Sequence, residues 1–102
     1  MKDAHISYDL PTTRESGLPL PAAEIAGVEI SLSADAGANF VVVDTVVPPS
    51  MGLDITQLEN GTWIARLIVI DTAGQRSMTV DQPFVSDDSA PGIVTNVNVA
   101  LT

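Results

Sequence analysis

The chain has 102 residues, with four Lys and Arg against 13 Asp and Glu, a formal net charge of −9 and no cysteine. That length accommodates one domain with a single core, and the charge excludes a phosphate-neutralising nucleic-acid binder or a ligand of an anionic membrane surface. Without cysteine there is neither a disulfide nor a thiolate metal site, which suits folding in a reducing cytoplasm and equally a cysteine-free extracellular domain.

The opening "MKDAHISYDLP" has no apolar stretch behind a basic head, so neither a secretion signal nor a membrane span is expected there. If Met1 is the true start, the chain is complete and made in the cytoplasm. Residues 5–10, "HISYDL", alternate with Ile6, Tyr8 and Leu10 on one face and His5, Ser7 and Asp9 on the other, which predicts a strand. A long polar loop over 11–27 follows. "VEISLS" predicts a second strand with Val28, Ile30 and Leu32 inward, and "ADAGAN" a turn in which glycine and asparagine take positive φ.

"FVVVDTVV" at 40–47 predicts a strand that Pro48 and Pro49 end, and "MGLDITQLENG" another before a turn at Asn60 and Gly61. "TWIARLIVID" is the strongest strand, closed by the turn "DTAG" at 71–74. "SMTVDQPFV" is weaker, because Pro83 removes a ladder donor and so marks an edge or a bulge. A linker, "SDDSAPG" at 86–92, leads to residues 93–102, a last alternating segment. No stretch holds a helical period. The expectation is an all-β, antiparallel sandwich of about seven to eight strands.

Three stretches resemble the fibronectin type III family, an immunoglobulin-like β-sandwich, in its bacterial and phage form. "ISYDLP" is similar to the family's "L-x-W-x-x-P", with Tyr8 in the tryptophan slot. "RESGLPLPAAEIAGVEI" resembles its "DG-x-x-L … I-x-G-Y-x-I", with Val28 for the tyrosine. "LENGTWIARLIVIDTAGQRS" resembles its "L-x-P-G-T-Y-Y-x-x-V-x-A-V-D-x-x-G-N-x-S", with Leu58, Gly61, Thr62, Leu67, Asp71, Gly74 and Ser77 in place. Trp63 stands where the family has its corner tyrosine, so a corner hydrogen bond must come from the indole N–H.

The resemblance implies a first strand ahead of "HISYDL", where this chain has only "MKDA". "APGIVTNVNVALT" is similar to that strand, displaced to the C-terminus. Residues 1–85 would then be a sandwich lacking its first strand, 86–92 a linker, and 93–102 a strand completing its own or a neighbour's sheet. Ile93, Val97, Val99 and Leu101 would face a core, with Asn96 and Asn98 turned to water. The resemblance implies that the last strand ends at the pole opposite the missing strand's start. A linker reaching at most about 24 Å makes closure within one chain taut. Donation to a neighbour, closure in cis, and ordering on some other partner all remain open.

On "TWIARLIVI" the parity puts Trp63, Ala65, Leu67 and Val69 inward and leaves Ile64, Ile68 and Ile70 outside, either as a subunit contact or covered by neighbouring side chains or the 11–27 loop. No catalytic, cofactor or metal site is expected: His5 lacks a nucleophile-elbow motif, and Asp35, Asp44, Asp87 and Asp88 lack calcium-loop spacing and read as solvated loop acids. The resemblance implies a non-enzymatic structural module of a tailed-phage virion, for capsid decoration, cementing or tail association. Its expected partners are protein, namely itself and a major capsid or tail protein, with no nucleic acid and no membrane. The alternative is a module at the extracellular surface that binds host-surface glycan or polysaccharide through the 11–27 and 71–77 loops.

Overall fold

The computed structural model describes residues 2–89 and 91–101; Met1, Ala90 in the expected linker and Thr102 at the end of the expected last strand lie outside them. Six strands form in the order β1 (Lys2–Ser7), β2 (Ile25–Ser33), β3 (Val41–Val46), β4 (Gly52–Leu58), β5 (Gly61–Asp71) and β6 (Val80–Ser86). β1 and β4 make a two-stranded sheet, and β3, β2, β5 and β6 a four-stranded sheet in that order. All pairings are antiparallel. The all-β sandwich expected from the alternation is therefore present, with six strands among the described residues.

The inward parities agree with the alternation. Val28, Ile30 and Leu32 of β2 are buried, with Val46, Leu58 and Ala65 around them. Ile6, Tyr8, Leu10 and Leu53 from the small sheet's side close over Val28 and Ile30, and Ala4, Ile55, Trp63 and Phe84 close over Leu32 and Leu58. Burial of these side chains at roughly 1.5–3 kcal/mol each is what the two sheets gain by facing each other. β6 is an edge strand, as Pro83 requires, since its ring nitrogen offers no donor to a further ladder.

Two expectations are corrected, the bounds of β1 and the residues that take positive φ in the "ADAGAN" turn. β1 starts at Lys2 and ends at Ser7, earlier than "HISYDL" predicts, because Lys2 pairs with Leu58 and Ser7 with Gly52. "MKDA" is thus mostly strand. The outer side of β2 is covered: Ser33 is buried, its hydroxyl donating to Asp35 Oδ1 at 2.7 Å and accepting the Gly37 N–H at 3.0 Å. In that turn Ala36 and Gly37 carry the positive φ values, 59° and 91°, while Asn39 keeps to capping Asp35. The loop between β1 and β2 is ordered by its own hydrogen bonds, Arg14 N–H to Leu18 O and Leu20 N–H to Thr12 O, before a one-turn 3-10 helix at Ala22–Glu24.

Both ends of β1 can be placed. Its start lies beside the end of β6, since Lys2 Nζ donates to the Asp87 carbonyl at 3.1 Å. Ser86 Oγ lies 3.5 Å from the Leu58 carbonyl, and the Asp88 N–H donates to Asn60 Oδ1. One pole therefore holds the start of β1, the end of β4, the start of β5 and the end of β6. At the opposite pole Arg14 ties the first loop to the turn after β5, through Asp71 at 3.0 Å and Glu24 at 2.9 Å.

Candidate functional site

β1 has a partner on one side only, and the open side faces the flank where β6 ends its own sheet. Between them runs an apolar groove of about 440 Å³. Ala65 and Leu67 of β5 form its floor, Ala4, Ile6 and Tyr8 one wall, and Val80, Gln82 and Phe84 the other. The register explains the second wall. Val80, Gln82 and Phe84 lie opposite Leu67, Ala65 and Trp63, so all three share the inward parity of β5. Yet Val80 is 66% exposed. An inward-facing valine left that open lacks the layer that should cover it.

The tail supplies apolar groups of the same spacing. Ile93, Val97, Val99 and Leu101 are exposed by 69–95%, and the described tail residues pair with no strand of their own chain. The molecule measures 73 × 32 × 21 Å, the long axis reflecting a tail that extends away from the sandwich. The tail's alternation is legible in the sequence. The groove is not, because it is made by strands 60 to 80 positions apart in the chain.

Ile64, Ile68 and Ile70 lie on the outer side of the four-stranded sheet and are half-buried. Their neighbours include the turn at Gly37, whose Cβ position would stand 3.7 Å from Ile64 Cδ1, and Arg66, which lies 3.9 Å above the Phe40 ring and forks onto Asp81 at 2.8 and 2.9 Å. Arg76 reaches across the same sheet to Glu29 at 2.7 Å. A second apolar opening, of about 540 Å³, lies on the opposite flank between β3 and β4, lined by Val41, Val43, Ile55 and Trp63 among others.

The titratable groups have local work. The Ser33 hydroxyl and Asn39 donate to Asp35 and hold its carboxyl down at about 2. Asp71 is held below the usual carboxylate range, first by Arg14 and then by the Gln75 and Ala73 N–H groups that it caps in the turn. Asp35 reads from the sequence as a solvated loop acid and instead organises its turn, whereas Asp71 opens the turn that "DTAG" predicts. His5 is exposed and meets Asp54 at 2.6 Å, and among the described residues no hydroxyl hydrogen-bonds to its ring. The Trp63 indole N–H donates to the Glu59 carbonyl at 3.0 Å, across the corner between β4 and β5. Desolvation raises the pKa of Tyr8, whose hydroxyl is buried without a hydrogen-bond partner among the described residues. All four aromatic residues are half-buried: Trp63 lines the opening beside β3, Tyr8 and Phe84 line the groove beside β6, and Phe40 lies under Arg66. In comparisons with protein-family models, curated proteins and solved structures, nothing matches this chain.

Proposed function

We propose that this chain is a non-enzymatic assembly module, a fibronectin type III-like sandwich whose C-terminal segment joins it to further protein subunits. The observation that carries the reading is the pairing of two unfinished surfaces in one molecule. An inward-facing strand wall stands open at Val80, and an apolar alternating tail has no ladder. Each is a liability for an isolated domain, since unpaired strand edges and exposed apolar rows seek partners. Together they are the two halves of a contact. The setting we propose, on the resemblance of its sequence to the phage form of the family, is a tailed-phage virion, with the partner either a further copy or a major capsid or tail protein.

Two measurements test this. Sedimentation of the purified chain from micromolar to millimolar concentration should show mass rising above one chain; a monomer throughout would overturn the assembly reading. Mass spectrometry of purified virions should find the chain in the particle, and its absence there would overturn the setting.

A further inference from the structure

From the assembly reading, on which this step rests, we infer the contact itself: residues 93–101 of one copy add to the open edge of β1 in a second copy, antiparallel to it, filling the groove between β1 and β6.

Four observations bear on the edge and on which copy supplies the strand, and the antiparallel sense follows that of the other strand pairings of the molecule. First, of the two strands that flank the groove, β6 carries Pro83, which cannot donate to a new ladder, whereas "KDAHIS" in β1 contains no proline. The hydrogen bonds therefore go to β1. Second, the groove's inward side chains, Ala4, Ile6, Leu67, Val80 and Phe84, are apolar apart from Gln82, and the alternate tail residues Ile93, Val97, Val99 and Leu101 are apolar apart from Thr95.

Third, the tail leaves the domain where β1 begins, as the Lys2 contact to Asp87 shows. A strand antiparallel to β1 must enter at the far end, by Ser7 and Tyr8. To do that within one chain, the linker would first have to run back along β1, six residues or about 20 Å. A linker of about 24 Å at full stretch has almost nothing left for the two turns this needs. A copy placed beyond the exit pole, in the same orientation, presents its Ser7 end directly to the emerging tail. Fourth, residues 89–102 include no charged side chain, although the molecule carries −9 overall. The tail therefore adds no side-chain charge where two such acidic copies meet.

Nine residues at roughly 3.3 Å each span about 30 Å, more than the length of β1. In the undocked tail Asn96 sits at φ 54° and Asn98 Nδ2 lies 3.4 Å from the Asn96 carbonyl, so residues 93–101 become a continuous strand only on docking. The contact is heterologous: tail of one copy, groove of the next. With the partner in the same orientation such contacts propagate, closing into a ring or growing into a filament, whereas a reciprocal exchange of tails would close a two-fold dimer.

The test uses full-length variants. Val80→Arg blocks the groove, Val99→Arg spoils the tail, and Val41→Arg marks the opposite flank. All three positions are exposed in the monomer, so folding is retained, as circular dichroism will check. Each change also lowers the net negative charge, so lost association is not added repulsion. Val80→Arg and Val99→Arg should each weaken self-association about 30-fold or more, while Val41→Arg leaves it unchanged. An equimolar mixture of Val80→Arg and Val99→Arg should form a one-to-one dimer and grow no further, because the first keeps only its tail and the second only its groove.

Association that survives either Val80→Arg or Val99→Arg, that is lost in Val41→Arg, or that fails to return in the mixture overturns the groove assignment while leaving the assembly reading intact. A wild-type chain that never associates overturns both.

Discussion

Val28 and Val80 are the same residue at the same inward parity, and truncating each to alanine removes the same two methyl groups. Val28 is 1% exposed and Val80 66% exposed. At ~0.8 kcal/mol per buried carbon, Val28→Ala loses about 1.6 kcal/mol of transfer free energy. The cavity left among Ile30, Val46 and their neighbours brings the total to roughly 2–3 kcal/mol. Val80→Ala has only a third of its surface to lose, about 0.5 kcal/mol, and leaves no cavity because its site is already open. With a urea slope of roughly 1.5 kcal/mol/M, the midpoints should fall by about 1.3–2 M for Val28→Ala and by about 0.3 M for Val80→Ala. The assay is urea unfolding followed by circular dichroism, at a concentration where sedimentation gives a monomer. Equal falls for the two variants in the monomer would refute the reasoning, since Val80 would then be covered by its own chain. In the associated protein the cost of Val80→Ala should rise toward that of Val28→Ala, because a partner's tail supplies the missing layer.

Further outcomes follow from single contacts. Trp63→Phe removes the indole donor to the Glu59 carbonyl and should cost about 0.5–1.5 kcal/mol in the same urea assay; an unchanged midpoint would mean that the corner bond contributes nothing. Asp35, held at about 2 in the folded chain, has an unfolded value of about 3.9. Its depressed pKa contributes stability that is fully present above pH ~4 and is lost as pH falls through about 2, and Asp71 acts in the same direction. A carbon-detected titration of Asp35 should show its midpoint near 2, and a midpoint at the ordinary carboxylate value would show that Ser33 and Asn39 do not hold it.

Much of this molecule is legible in its residues. The alternation through Val28, Ile30 and Leu32, the long run of β5, the turn at Asp71 and Gly74 and the edge position of Pro83 are each local. Strand period, turn chemistry and a missing donor are properties of a few consecutive residues, so they survive without knowledge of the fold. The N-terminal boundary of β1 is different. Lys2 and Asp3 carry no apolar signal, and they are strand because Leu58 and its neighbours offer them a ladder from far along the chain. Likewise Ser33 has no sequence mark of burial; the turn that folds back through Asp35 and Gly37 buries it.

The tail joins both cases. Its period of two, with Ile93, Val97, Val99 and Leu101 on one side, is written in consecutive residues, and by itself determines that this segment is able to be a strand. Whether an edge is open to it belongs to the tertiary structure: the one-sided pairing of β1, the proline on β6, and the meeting of Lys2 with Asp87 at one pole. The reason is that side-chain alternation belongs to a single chain segment, whereas the hydrogen bonds that make a strand belong to two.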